Sequence, residues 1–255
     1  MAKSLAELHD LSGRVALVTG GSRGLGRSMV RAFADAGADV VIASRKLEPC
    51  SQLADEVAHE FGRAALPYAC HVGRWDELDG LVDAAHDRFG RVDVLVNNAG
   101  MSPLYDTVVD VTEKLWDSTL AVNLKGPFRL TALVGTRMAA GEGGSIINVS
   151  SIGAIHPAPD IVPYAAAKAG LNAMTVAFAH AFGPTVRVNG IMPGGFRTDI
   201  TRAWDWDAFN ESATRFALRR IGEPDEIVGT ALYLASNASS FTTGAIITVD
   251  GGVLT

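Results

Sequence analysis

Cysteine is nearly absent from this chain. Only Cys50 and Cys70 occur in 255 residues. Their spacing fits no zinc-ligand pattern, so no metal site is expected, and two thiols in a chain long enough to build its own core read as reduced side chains in a cytoplasmic protein. Long hydrophobic runs are also missing. No stretch approaches the roughly 20 apolar residues of a membrane-spanning helix, and the opening MAKSLAELHDLSG has no signal-peptide core. Basic charge is in deficit: 22 Lys and Arg stand against 28 Asp and Glu, a net charge of −6. With an isoelectric point near 5.5, this argues against a nucleic-acid partner, which requires a basic face. Repeats, low-complexity tracts and linkers are absent too, so residues 1–255 are expected to form one domain.

What is present is alternation. Short apolar runs punctuate longer amphipathic stretches, at Arg14–Thr19, Asp39–Ser44, Ala64–Cys70, Val92–Val96, Ser145–Val149, Val186–Ile191 and Ala245–Val249. Runs without polar alternation indicate strands covered on both faces. Helical patterns fall between them: up to about Gly37, from about Glu48 to Phe61, and over Asp76–Phe89 before Gly90. Strands alternating with helices imply right-handed crossovers. The expected fold is therefore α/β, a Rossmann-type doubly wound sheet of seven parallel strands between two helix layers. Such sheets bind ligands beyond the carboxyl ends of their strands, which is where the search for functional residues belongs.

After the first run comes Thr19-Gly20-Gly21-Ser22-Arg23-Gly24-Leu25-Gly26. Glycines there let backbone N–H groups approach a diphosphate, and the following helix N-terminus favours its charge. The spacing is Gly-x-x-x-Gly-x-Gly, and no Walker lysine follows. A dinucleotide-binding fold commonly ends its second strand in an acidic residue that bonds the adenosine ribose. Here that strand ends Ser44-Arg45-Lys46, with no carboxylate. Ser44, Arg45 and Arg23 suit a 2′-phosphate, which favours NADP(H) and leaves NAD(H) possible. Arg27 and Arg31 read as a solvated helix face. Asn98, Ala99 and Gly100 follow the fourth run; by themselves they suit either a cofactor contact or a turn.

Ser150 and Ser151 end the fifth run, and Tyr164 and Lys168 follow at helical i, i+4 spacing, which puts them on one face. A tyrosine pKa near 10 makes ionisation at neutral pH costly by about 4 kcal/mol. A neighbouring ammonium reduces that cost, and a serine hydroxyl can share the charge on a substrate oxygen. The set suits proton exchange with a carbonyl or alcohol oxygen.

These motifs resemble those of the short-chain dehydrogenase/reductase family, in its compact single-domain branch. The likeness spans about Gly13 to Gly252 and includes TGGSRGLG at 19–26, NNAG at 97–100, AVNLKG around Asn123, Ser151, Tyr164-Ala-Ala-Ala-Lys168 and PGGFRT at 193–198. The resemblance implies a catalytic set of Ser151, Tyr164 and Lys168, with Asn123 holding a water in a proton relay. Ser151 is preferred over Ser150 because the family places its serine about 13 residues before the tyrosine. The resemblance also implies that Tyr164 and Lys168 contact the cofactor, together with Gly20, Ser22, Gly24, Leu25 and Gly26. It places Pro193, Gly194 and Thr198 at the nicotinamide. One position departs from the pattern: His71-Val72 stands where the family has an adenine-contacting aspartate before a valine.

The stretch at about 199–220, with Trp204, Trp206, Phe209 and Phe216, corresponds to a substrate lid in the family. His156 is a candidate pocket residue. The expected reaction is hydride transfer between nicotinamide and a small-molecule ketone or secondary alcohol. The enoyl-reductase branch is disfavoured, since it separates its tyrosine and lysine further. A non-catalytic nucleotide sensor, or an epimerase or dehydratase recycling bound nicotinamide, stands as the alternative. Small residues along Tyr164–Phe182 permit close helix packing between subunits, and the resemblance implies a homotetramer ahead of a dimer, formed through this helix and the last strand.

Overall fold

A computed structural model describes residues 4–198, 211 and 213–253. Each of the seven apolar runs becomes a strand: β1 (Val15–Thr19), β2 (Asp39–Ser44), β3 (Ala65–Ala69), β4 (Val94–Asn97), β5 (Gly144–Val149), β6 (Val186–Pro193) and β7 (Ile246–Val249). They form one parallel sheet in the order β3-β2-β1-β4-β5-β6-β7. Among the described residues the α-helices are α1 (Leu5–His9), α2 (Gly24–Asp35), α3 (Leu47–Phe61), α4 (Trp75–Phe89), α5 (Glu113–Leu120), α6 (Gly126–Ala140), α7 (Val162–Phe182) and α8 (Val228–Ala235).

Side chains alternate faces along a strand. Here both faces are apolar, so adjacent residues enter opposite cores. Val18, Ile42, Val96 and Ile147 pack with Phe33 of α2, Leu53 of α3 and Leu234 of α8. Their neighbours Leu17, Val41, Leu95 and Ile146 pack with Leu81 of α4 and Leu130 of α6. Two helix layers thus enclose the sheet. The edge strands β3 and β7 are only half-buried. β3 also carries Pro67, which an edge strand tolerates because a lost ladder donor can face outward.

Strand limits move where polar groups intervene. β4 begins at Val94, two residues later than the apolar pattern suggests. Asp93 is buried, accepts a 2.9 Å bond from the Val15 amide, and is held by Arg91 and Arg14. β6 runs on to Pro193, which pairs with Val249 of β7. Cys50 and Cys70 are both free and buried. Among the described residues no helix is long and apolar enough to cross a membrane.

Candidate active site

The strand order reverses direction on either side of β1, leaving a crevice between the ends of β1 and β4, where such sheets take their ligands. Thr19, the last residue of β1, fastens that crevice. Its hydroxyl donates to the Val96 carbonyl at 3.1 Å and accepts the amides of Asn98 and Ala99 at 3.1 and 3.2 Å. Asn98 returns the link, its Nδ2 donating to the carbonyls of Thr19 (2.9 Å) and Gly20 (3.2 Å). The Asn98 side chain therefore shapes the glycine loop from behind. Gly20 sits at φ +62°, and a Cβ on Gly26 would lie 2.2 Å from the Gly20 oxygen and 2.6 Å from Asn98 Nδ2. Those two glycines are required by this close approach. The sequence pattern had shown Thr19 as part of a motif but not as its central fastening.

α2 starts at Gly24. Its N-cap, Arg23, is extended and contributes no side-chain cap, and no acidic residue lies in the first turn. The first N–H groups and the positive end of the helix are thus open to an anion, the fit that a dinucleotide diphosphate requires. Thr198 packs against this turn, its Cγ2 3.6 Å from where a Gly24 Cβ would be. The 193–198 segment and the glycine loop therefore meet, while Gly194 lies against Asp250 beyond β7. Leu25 packs onto the core.

At the end of β2 the Ser44 hydroxyl is already engaged. It accepts from the Ser22 hydroxyl at 3.1 Å and bonds the Lys46 carbonyl and Cys50 Sγ. Arg45 is exposed and, among the described residues, forms no ion pair. Arg27 and Arg31 are not a merely solvated face. Arg27 pairs with Glu56, and Arg31 pairs with Glu56 at 3.2 Å and Glu60 at 2.5 Å, tying α2 to α3. After β3, His71 Nδ1 accepts the Gly73 amide at 3.2 Å and its own amide donates to Glu77. The neutral ring thus carries its hydrogen on Nε2 and is a donor there. Val72 is buried beside it.

The chemical end lies beyond β5. Ser150 is buried, with its amide bonded to the Ile191 carbonyl and its hydroxyl 3.4 Å from the Lys168 carbonyl. Ser151 instead lies near enough to Tyr164 for its hydroxyl to favour the phenolate, while its Oγ accepts the Gly153 amide at 3.1 Å. Tyr164 is half-buried in the first turn of α7. One turn on, Lys168 is 3 % exposed; its Nζ donates to the Val149 carbonyl at 2.6 Å and lies 5.7 Å from the Tyr164 ring centroid. Burial raises the Tyr164 pKa above its usual 10, opposed by the Ser151 hydrogen bond. The same burial lowers Lys168 to about 8. The lysine expected to depress the tyrosine is thus directed to a strand carbonyl, and desolvation dominates both groups.

Asn123 is fully buried in a π-turn, Ala121–Lys125, between α5 and α6. Its Nδ2 donates to the carbonyls of Met101 (2.8 Å) and Thr119 (2.9 Å), and its Oδ1 accepts the Met101 amide at 3.2 Å. The side chain thus clamps the loop after β4. π-turns recur at functional sites, and this one brings Asn123 to the chemical centre. A Cβ on Gly100 would be 3.0 Å from Asn123 Oδ1 and 3.8 Å from Lys168 Nζ. His156 is half-buried in the segment between Ser151 and Tyr164. The lid aromatics Trp204, Trp206 and Phe209 lie outside the described residues.

A doubly wound sheet, an open helix terminus and a Ser–Tyr–Lys cluster at one end define a dinucleotide-dependent oxidoreductase. The chain belongs to the short-chain dehydrogenase/reductase family. The family model described as enoyl-(acyl carrier protein) reductase matches residues 20–254. The human dehydrogenase/reductase SDR family member 4 is 36% identical over 99% of this chain and 92% of its own length. The 3-oxoacyl-[acyl-carrier-protein] reductase FabG of Thermotoga maritima is 37% identical over 96% of this chain and 99% of its own. Among solved structures, the NADPH-dependent 3-quinuclidinone reductase of Rhodotorula rubra superposes with a TM-score of 0.94 at 30% identity, covering 99% of this chain and 96% of that one. The protein is accordingly an NAD(P)-dependent oxidoreductase acting on CH–OH and C=O groups.

Proposed function

We propose that the protein is an NADP(H)-dependent ketone reductase, or the reverse secondary-alcohol dehydrogenase, in which Tyr164 carries the proton. The observation that carries this reading is the cluster of Ser151, Tyr164 and Lys168 beyond β5, on the side of the sheet where α2 opens its N-terminus. The bound nicotinamide supplies or accepts the hydride. Tyr164 rests protonated because its burial raises its pKa, and the protonated phenol is the form that donates to a substrate oxygen. The Ser151 hydroxyl stabilises the same oxygen as charge develops. Lys168, at about 8, is mostly cationic at neutral pH, and α7 presents its positive end at Tyr164; both favour the phenolate left behind.

The diphosphate falls to Gly20, Ser22, Gly24, Leu25 and Gly26, and the 2′-phosphate to Arg45 and Arg23, with Ser44 and Ser22 beneath. His71 and Val72 flank the adenine; Asn98, Ala99, Gly100, Pro193, Gly194 and Thr198 flank the remainder. The four-residue interval between Tyr164 and Lys168 favours C=O over C=C chemistry.

The segments bracketing Tyr164, residues 101–107 and 152–163, contain no Lys or Arg and carry Asp106 and Asp160. Leu104, Ile155 and Val162 are exposed there. Apolar surface beside carboxylates suits an uncharged ketone better than a keto acid. The outward face of α7 carries Ala166, Ala169, Ala173, Val176 and Ala177. Phe128 is exposed on α6, and β7 offers a free edge. These surfaces support a homotetramer, and the free, buried thiols suit a cytoplasmic setting. The test is a spectrophotometric panel of matched neutral ketones and keto acids with NADPH and NADH. Neutral ketones with NADPH should turn over fastest; faster turnover of keto acids, or equal use of NADH, contradicts the reading.

A further inference from the structure

α7 holds the proposed proton carrier in its first turn, yet it does not cap itself. Its N-cap residue is Ile161, which has no side-chain acceptor, and Pro163 occupies the first turn. The first helical amides lack partners within any helix. Proline removes one of them, and Ala165 already bonds the Ile161 carbonyl. The Val162 amide finds its acceptor elsewhere in the chain, 57 residues away in sequence. It donates at 2.7 Å to the Oη of Tyr105, and the same hydroxyl donates at 2.8 Å to the Pro159 carbonyl. Tyr105 belongs to the loop after β4, whose other end, at Met101, is clamped by Asn123.

We propose that Tyr105 is a positioning residue for Tyr164: from the loop after β4, its hydroxyl supplies the missing N-cap of α7 and holds the first turn of that helix in register with the loop. This proposal rests on the reading of Tyr164 given above. The only proton on Tyr105 is committed to Pro159, so Tyr105 acts through the helix end and not as a second acid. The geometry makes the segment between Ser151 and Tyr164 a closed circuit. Ser151 caps the short turn at Ile152–Ala154; the Ile161 side chain packs on Gly153; Tyr105 pins the segment's far end. The two hydroxyls that meet substrate therefore sit at the two ends of one tethered segment. A substrate that displaces the loop after β4 moves the first turn of α7 with it.

The test is Tyr105→Phe, which keeps the ring and removes only the tether. Three measurements are made on the full chain: amide hydrogen exchange by mass spectrometry without cofactor, NADPH affinity by fluorescence titration, and the pH profile of kcat for the best ketone of the panel. Exchange should quicken in peptides covering 162–168 and stay unchanged in the β1–α2 region. NADPH affinity should hold within about twofold. The kcat should fall about five- to tenfold, and its alkaline limb should move to higher pH, because a frayed first turn presents less positive potential to the phenolate. Unchanged exchange at 162–168 overturns the proposal. Unchanged kcat beside faster exchange also overturns it, as does a loss of kcat that comes with generally faster exchange and weaker NADPH binding. Tyr164→Phe is measured in parallel. If that variant keeps turnover, the assignment of Tyr164 fails, and the tether is then judged on hydrogen exchange alone.

Discussion

Replacing Lys168 with Met should change how stability responds to pH in a way that only the buried ammonium explains. Lys168 is 3 % exposed, and its burial lowers the pKa from 10.5 to about 8. An unfolded lysine keeps its proton up to about 10.5, so between those values the unfolded chain binds more protons than the folded one. Stability therefore rises with pH across this window. The gap, at about 1.4 kcal/mol per pH unit, corresponds to about 3 kcal/mol. That penalty is fully present below pH 8 and relieved as pH approaches 10.5. The Met variant loses the titrating group and its bond to the Val149 carbonyl, and only the first loss depends on pH. Tyr164 titrates in the opposite sense: its raised pKa withdraws stability once pH exceeds about 10. It is present in both proteins and largely cancels in the comparison. Urea unfolding of both proteins without cofactor, at intervals from pH 7 to 10, reads the difference. The wild type should gain about 2 kcal/mol on the variant over that range. Parallel curves would refute the assignment of a depressed pKa to Lys168, and with it the claim that desolvation dominates this cluster.

Two further outcomes follow from the cofactor end. Arg45→Ala should weaken NADPH binding at least about tenfold, as expected for losing a hydrogen bond to a charged group, and leave NADH within about twofold; calorimetry with both nucleotides checks this, and equal losses would remove Arg45 from the 2′-phosphate. Thr19→Val keeps the side chain's shape but strips the bonds to Val96, Asn98 and Ala99; the Asn98 amide keeps the Val96 carbonyl at 3.1 Å, so the loss falls mainly on the half-buried Ala99 amide and should destabilise by about 1–2 kcal/mol in chemical denaturation, and NADPH binding should weaken with it. A change under 0.5 kcal/mol would mean that the hydroxyl does not fasten the crevice.

The sheet was legible because both of its faces are covered, so each strand wrote itself as an apolar run bounded by turn residues. β3 covers less than its apolar run, Ala65–Ala69 within Ala64–Cys70, because an edge strand with Pro67 has less to bury. The β4 start was displaced because a carboxylate, Asp93, folds inward among valines, which pattern cannot show. At the site, Tyr164 and Lys168 were visible through their helical spacing together with their place after a serine-ended strand in a chain with a glycine-rich dinucleotide loop. The part that stayed hidden consists of bonds between residues far apart in sequence. Thr19 reaches Asn98, Asn123 reaches Met101, and Tyr105 reaches Val162. None has a local signature. The π-turn at Ala121–Lys125 was equally hidden, since one inserted residue barely alters the apolar period of a helix. The direction of the Tyr164 shift was missed for a related reason: spacing shows a neighbouring charge but not that Lys168 is buried and turned to the Val149 carbonyl, nor that the phenol is desolvated.

In this mechanism the Tyr164 hydroxyl transfers the proton. Its direct test is the kcat of Tyr164→Phe at saturating NADPH and ketone, beside the NADPH affinity of the same protein. General acid–base catalysis contributes about 10²- to 10⁴-fold. A loss of kcat in that range with NADPH affinity held within about threefold is the predicted result. A variant that reduces the ketone at close to the wild-type rate would mean that another group carries the proton.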